Sequence, residues 1–398
     1  MEHINLDNEE FQKALQIIQF TRRSLFLTGK AGTGKSTFLR YISETTKKKH
    51  VILAPTGIAA INAGGSTLHS FFKLPFHPLL PNDTRYNVRN MRKTLRYTSE
   101  KCKLLREVEL IIIDEISMVR ADIIDFIDKV LRVYNRNMRE PFGGKQLLLV
   151  GDIYQLEPVV REEDRQLLAP FYHSQFFFDA KVFAELQLVS IELTKVYRQN
   201  NPTFINLLDH IRSSHVTTAD LEMLNRQVGA DIDTSDSSLS ITLSTRRDTV
   251  DYINSTRLAE LDGDATIFDG TIEGDFPENN LPSPLKLELK VGAQVLFVRN
   301  DKEKRWVNGT LGTVTGFSLD VEDSKDAIIY VRTEDGVEFD VEQEIWSNIK
   351  YTFNEKEQKI EESVLGTFCQ FPLRLAWAIT VHKSQGSEYR AVILSVFG

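Results

Sequence analysis

Residues 29–36 read Gly29-Lys30-Ala31-Gly32-Thr33-Gly34-Lys35-Ser36, and the fold is decided there. The stretch fits the G-x-x-x-x-G-K-[ST] phosphate loop, and it stands in the context that motif requires. A short apolar run at 24–27 precedes it and a helical pattern starts near Ser36. Each residue type follows from the task. Glycines let backbone N–H groups converge on phosphate oxygens, and the helix N-terminus adds partial positive charge. Lys35 is expected at the β and γ phosphates, and Ser36 offers a hydroxyl to Mg²⁺. Gly32, Thr33, Gly34, Lys35, Ser36 and Thr37 are therefore the expected contacts of ATP, with Mg²⁺ as its companion ion.

Working outward, Leu110-Ile111-Ile112-Ile113-Asp114-Glu115 is an apolar strand ending in two carboxylates. This places both at the carboxyl edge of a sheet beside the phosphate loop. Asp114 is expected in the Mg²⁺ shell, and Glu115 is expected to orient and deprotonate the attacking water. A third strand ends Leu149-Val150-Gly151-Asp152, and Gln155 follows close enough for its amide to sense the γ phosphate.

Strand candidates at 24–27, 51–54, 109–113 and 146–150 alternate with helical patterns. One of these runs through Phe11, Ala14, Leu15 and Ile18, another through Ile123, Ile124, Ile127, Val130 and Leu131. Such alternation predicts an α/β fold with a doubly wound parallel sheet. Residues 72–103 break the rhythm with Pro75, Pro78 and Pro81 and then a basic run, so they read as an insertion. Between Arg85 and Arg106 there are eight Arg or Lys against Glu100 alone. Arg92, Lys93 and Arg96 are candidate phosphate contacts from that run, although a solvated basic face fits it equally.

Strands near 189–193 and 239–243, with a helix from Asp248 towards Leu261, predict a second α/β domain. Short alternating runs with turn signals at Asn308-Gly309 and Asp335-Gly336 predict a small β-barrel inserted in it. The expected domains are 1–71 with 104–187, an inserted subdomain at 72–103, then 188–280 with 363–398, and the barrel at 281–362.

With 398 residues, 41% apolar and 26% charged, the composition is that of an ordinary globular protein of two to four domains. No apolar run is long enough to span a membrane, and the first residues lack a leader pattern. A cytoplasmic, nucleoid-associated location is expected. Cys102 and Cys369 are too few for a disulfide framework or a zinc site. The formal charge of −8 argues against coating duplex DNA through bulk charge, while leaving room for a locally basic channel.

The order of motifs is similar to that of superfamily-one helicases. Residues 54–60, with Pro55, Thr56 and Gly57, and residues 65–71, with His69, Ser70 and Phe71, resemble the two segments with which such enzymes grip single-stranded DNA. His69 or Phe71 is a candidate base-stacking platform, against plain core packing for Phe71. Residues 125–146, ending Pro141-Phe142-Gly143-Gly144-Lys145-Gln146, resemble the signature stretch of the PIF (petite integration frequency) family of 5′-to-3′ helicases.

That resemblance covers nearly the whole chain. It implies two RecA-like domains with ATP between them and single-stranded DNA across both. Arg198 in Leu193-Thr194-Lys195-Val196-Tyr197-Arg198-Gln199 is the implied arginine finger. Residues 375–386 are the implied late motif, with His382 and Lys383 on DNA and Gly386 and Glu388 at the nucleotide. Thr245 completes the implied DNA contacts. Residues 72–103 become a wedge, the partners become single strands and forked or otherwise structured DNA, and a monomer is the working expectation.

Implied roles are DNA repair, recombination and telomere maintenance. Ser387-Glu388-Tyr389 after Gly386 resembles RecD-type helicases more. No counterpart of the family's last motif, which brings a second arginine, precedes Gly398. The rival expectation is therefore a nucleotide-gated single-strand-binding module with little turnover.

Overall fold

A computed structural model describes residues 8–75, 77–197, 201–229, 239–278, 281–318, 327–354, 356–357, 359–384, 387 and 389–395. The chain forms two compact units, 1–216 with 349–364 and 217–348 with 365–398.

The first unit runs α1 (Glu9–Phe20), β1 (Leu25–Gly29), α2 (Lys35–Thr45), β2 (His50–Ala54), α3 (Gly57–Ala63), β3 (Ser66–Thr67) and α4 (Leu68–Phe72). It continues with α5 (Met91–Leu95), α6 (Ser99–Glu107), β4 (Leu110–Ile113), α7 (Ala121–Asn135), β5 (Gln146–Val150), α8 (Glu162–Leu168), β6 (Val189–Leu193) and α9 (Pro202–Arg212). Its six strands are parallel in the order β3-β2-β4-β5-β1-β6.

The central strands are apolar at nearly every position because helices cover both faces. Leu110, Ile112, Leu148 and Val150 pack towards α1 and α2, against Phe11, Ile18, Phe38 and Ile42. Their neighbours Ile111, Ile113, Leu147 and Leu149 pack on the other face, where α7 supplies Ile124, Ile127, Val130 and Leu131.

Strand β6, expected to open the second domain, instead pairs with β1 from Leu25↔Val189 to Gly29↔Leu193. Alternation of strands and helices fixes parallel pairing without saying which sheet a strand joins, so the 188 boundary is corrected. Residues 72–103 do not stand apart either. Leu74, Leu79, Tyr86, Met91 and Leu95 share a core with Leu104, Leu105 and α7.

The stretch 125–146 is a structural fastening. Asp125 accepts from Tyr172 Oη at 2.9 Å and from the N–H groups of Lys181 and Val182 at 3.1 and 3.0 Å. Asp128 accepts from Arg132 Nε and from the Phe142 N–H. Phe142, Gly143 and Gly144 turn the chain into β5 with φ of 52°, 63° and 81°. A Cβ on Gly143 would meet the Leu131 carbonyl oxygen at 2.6 Å, so this position admits only glycine without rearrangement.

The second unit opens with α10 (Thr218–Asn225), β7 (Ser240–Ser244), α11 (Arg247–Glu260), β8 (Thr266–Asp269) and β9 (Thr271–Gly274). The strands β10 (Lys286–Leu289), β11 (Gln294–Phe297), β12 (Leu311–Ser318), β13 (Ile328–Thr333), β14 (Glu338–Val341), β15 (Glu344–Asn354) and β16 (Lys359–Gln370) follow. It closes with β17 (Leu373–Leu375), β18 (Ala378–Thr380), α12 (Val381–Ser384) and β19 (Ala391–Ser395). β18, β7 and β19 form a parallel sheet with β7 in the middle.

The remaining sheets are β14-β13-β12-β11-β17, β10-β8 and β15-β16-β9. The first two share a core of Leu287, Val295, Phe297, Trp306, Ile329, Val331 and Phe371. Gly309 and Gly336 sit at the two expected turns with φ of 98° and 81°. The antiparallel region starts at β8 rather than at residue 281, since β8 pairs with β10 and β9 with β16. Four-residue strands are too short to announce a period. Residues 349–364 of the long β15–β16 hairpin belong to the first unit, where Tyr351 and Phe353 join its core.

Candidate functional site

Gly34 caps α2 with φ 94°, a left-handed turn that starts the helix immediately at Lys35. Lys35 Nζ donates to the carbonyls of Gly29 and Lys30 at 2.7 and 2.9 Å, and buried Thr33 donates its hydroxyl to Lys30 O at 2.9 Å. Gly29 has room for nothing larger, because a Cβ there would lie 2.6 Å from the Leu193 carbonyl oxygen. At the helix start Ser36 is exposed and Thr37 is half-buried. The Tyr197 N–H closes on Gly32 O at 2.9 Å.

β4 delivers Asp114 and Glu115 to the same edge. The Glu115 N–H donates to Asp114 Oδ1 at 2.9 Å, and Glu115 itself is left-handed at φ 50°. A non-glycine residue held there stores strain of about 1–3 kcal/mol, of the kind found at functional positions. Burial raises the Asp114 carboxyl above its ordinary range. Burial, with Asp114 and Asp152 nearby, pushes Glu115 up to about 7 against the pull of Lys35. Lys35 is lowered by burial, while Asp152 and Glu115 act to keep it charged. Asp152 lies just beyond β5, buried, and its backbone carbonyl takes the Gln155 N–H at 3.0 Å. Lys35, Asp114, Glu115 and Asp152 are thus assembled, with Gln155 one turn away.

Two side chains that carry no motif in the sequence complete this edge. From α9, Arg212 pairs with Asp152 and lies 4.6 Å over the Tyr154 ring, while Asp209 pairs with Lys30. In sequence they are only polar positions of an amphipathic helix, so their spacing gives no signal.

The first unit's DNA candidates divide. Thr56 caps α3 by accepting the Ala59 N–H, with Pro55 and Gly57 half-buried beside it. His69 is half-buried, its pKa lowered by burial and by Arg120, and Ser70 is exposed. Phe71 is corrected. At 3% exposure it packs edge-on to Phe72 and Tyr351, with Lys101 Nζ 3.2 Å from its ring centroid, and offers no face to a base. Arg92, Lys93 and Arg96 are all exposed, and Arg92 also donates to the Val133 carbonyl at 2.9 Å and lies against the Tyr134 ring at the end of α7.

In the second unit, Thr380 and Ser244 are paired at the ends of β18 and β7. Just beyond them, Thr245 is exposed and His382 is exposed. Lys383 is likewise exposed as a residue, but its ammonium is pulled to about 8 by local burial and by Arg374 and Arg247. Arg374, which stands in no motif, is itself pulled to about 10 by burial and Arg247. Its position inside a short apolar strand is the available clue. Arg198, Gly386 and Glu388 lie outside the described residues.

A parallel α/β sheet carrying this loop and these two strand-end carboxylates defines a P-loop nucleoside-triphosphate-binding protein. Residues 5–222 match the model of the PIF1-like helicase family, and 277–317 match that of the DNA helicase Pif1 2B domain. The chain is 32% identical to the ATP-dependent DNA helicase Pif1 of Bdellovibrio bacteriovorus, over 95% of this chain and 79% of that protein. It is 34% identical to the rat ATP-dependent DNA helicase PIF1 over 97% of its own length, but spans only 57% of the rat protein. The crystal structure of Bacteroides sp. Pif1 in complex with ADP-AlF4 superposes with a TM-score of 0.87 at 41% identity, covering 98% of this chain and 86% of that one. The chain belongs to the PIF1-like helicase family, whose named relatives are ATP-dependent DNA helicases.

Proposed function

We propose that this chain hydrolyses ATP to move 5′ to 3′ along single-stranded DNA and to unwind duplex ahead of it. The observation that carries the reading is the meeting of Lys35, Asp114, Glu115 and Asp152 at one sheet edge, in a chain matched along its length to DNA helicases. A structure of Bacteroides Pif1 bound to single-stranded DNA, and one of Pif1 described as showing unwinding at forked duplex DNA by two coordinating helicases, support the choice of partner.

In this reading the Gly32–Lys35 backbone and the Lys35 ammonium hold the triphosphate, and Lys35 exchanges its two loop carbonyls for phosphate oxygens. Glu115, poised near neutrality, takes the proton of the attacking water, and Gln155 senses the γ phosphate. Mg²⁺ supplies charge neutralisation at the phosphates when bound. The donor set fits it. Ser36 and Asp114 are hard oxygen ligands, and two adjacent buried carboxylates are short of positive charge. Among the described residues no group of three or more ligating side chains forms a metal site alone, so phosphate oxygens and water are left to fill the remaining positions.

Pro55, Thr56, Gly57, His69 and Ser70 in the first unit and Thr245, His382 and Lys383 in the second are the proposed contacts to the strand. Arg198 is kept as the finger, and Gly386 and Glu388 as nucleotide contacts, on the family resemblance. Residues 72–103 are taken as the wedge.

Steady-state ATPase with and without single-stranded DNA, followed by unwinding of partial duplexes, tests this. Strong stimulation and a requirement for a 5′ tail are expected. Tight single-strand binding with little turnover would favour the nucleotide-gated binding module, and unwinding only from a 3′ tail would reject the polarity.

A further inference from the structure

The described residues that meet Asp152 are few, and they are specific. Its Oδ2 takes Arg212, and its Oδ1 takes the Tyr154 N–H at 3.1 Å. Both side chains are withdrawn from water, with Asp152 at 2% and Arg212 at 17% exposure. A carboxylate buried to that degree is strongly destabilising unless paired, and Arg212 supplies that pairing. The guanidinium also stacks 4.6 Å over Tyr154 and lies 3.9 Å from Glu192 on β6. Arg212 therefore grips the turn 152–155 twice, at the carboxylate that starts it and at the ring in its middle.

That turn carries Gln155, whose N–H is tied to Asp152 O. On the other side, Arg212 is near enough to Lys35 to act on its ammonium, together with Asp152, Glu115 and Asp114. Asp209, three residues earlier and on the same face of α9, seats the helix on the phosphate loop through Lys30.

We propose that Arg212 is a positioning residue of the ATP site, acting through Asp152 to hold the 152–155 turn and Gln155 in the geometry that hydrolysis requires. The inference rests on the reading of residues 29–36 as the ATP site. It predicts an effect on turnover rather than on affinity, because the triphosphate is held by the loop and Lys35 while Arg212 sets a group beside it.

The test is a double-mutant cycle on the full chain, with DNA-stimulated kcat and equilibrium binding of a fluorescent ATP analogue read separately. Arg212→Gln is expected to lower kcat about tenfold to a hundredfold, the cost of a small misplacement near the chemistry. Nucleotide affinity should change by less than about threefold. If the arginine works through the turn, Arg212→Gln combined with Gln155→Ala falls no further than the worse single variant.

Arg212→Lys keeps the charge and the fold but loses the forked geometry, and should recover only part of the rate. Multiplying losses in the double variant, or wild-type kcat in either Arg212 variant, would overturn the inference. So would a loss appearing only in nucleotide affinity. Absence of turnover in the unaltered chain would instead overturn the helicase reading itself.

Discussion

At the carboxyl edge of the six-stranded sheet, Lys35 sits among Asp114, Glu115 and Asp152, with Arg212 brought in from α9 to offset one of them. Beside the three-stranded sheet of the second unit the proportion is reversed. Arg247, Arg374 and Lys383 act on one another, and Asp251 is the acid among them. The two sheets share parallel topology and connecting helices, so the backbone does not make this difference. An edge rich in acids around one lysine suits a triphosphate that arrives with its own cation. An edge of under-neutralised cations suits a polyanion that sheds its counterions on binding. On the proposed reading, similar architecture serves two ligands because side-chain charge, rather than fold, sets what each edge attracts.

The sharpest way to break the comparison is at Glu115. Glu115→Gln removes the proposed base and leaves Asp114, so ATP turnover should fall by about 10² to 10⁴, the usual worth of general base catalysis. Nucleotide binding and single-strand binding should persist. Measured turnover near that of the unaltered chain would remove Glu115 from the chemistry. Loss of DNA binding alongside would mean that the two edges are not separable.

A smaller effect is expected from the opposite edge. Arg374→Gln removes a largely desolvated guanidinium, and a hydrogen bond to a charged group is worth about 1.5–3 kcal/mol. Single-strand affinity should therefore fall about tenfold or more at low salt, while ATP-analogue affinity without DNA stays put. Titration of a labelled oligonucleotide by anisotropy measures the first, and the fluorescent analogue the second. Unchanged DNA affinity would return Arg374 to a purely structural role.

The acidic edge is legible in the sequence. A phosphate loop must be contiguous for its N–H groups to converge, and a strand that ends in acids announces its own edge. The second edge is half legible, since His382 and Lys383 stand in one motif but Arg374 and Arg247 reach it from elsewhere in the chain. Arg212 is not legible at all, being 60 residues from Asp152 and written as one more polar position on a helix. Phe71 and Arg92 are readable only as residue types. A phenylalanine in a DNA-gripping segment and an arginine in a basic run fit a ligand as well as a core or a helix end, and only the fold shows that Phe71 is buried and that Arg92 reaches the Val133 carbonyl. The sequence marks β6 as a strand but not the sheet it joins, because pairing partners are set by tertiary packing that periodicity does not record.

The smallest effect is also the most specific, because it separates Lys383 from the other lysines by pH. Its ammonium is pulled to about 8 by burial and then by Arg374 and Arg247, with Asp251 opposing, so it is charged below that pH and neutral above it. The lowered value means that its attraction for phosphate is present at pH 7 and is lost as pH rises towards 9. Single-strand affinity of the unaltered chain should weaken across that window, with the midpoint moved somewhat above 8 because bound phosphate favours the charged form. Lys145 is also pulled to about 8, but its Nζ donates to the Arg106 carbonyl at 2.5 Å in the first unit, so it serves the fold there. Lys383→Met should flatten the pH dependence and lower the slope of log affinity against log salt by about 0.7, the release expected for one phosphate contact on a single strand. If the variant keeps the pH dependence of the unaltered chain, Lys383 does not meet phosphate, and the cationic edge has to be rebuilt around Arg374 and Arg247 alone.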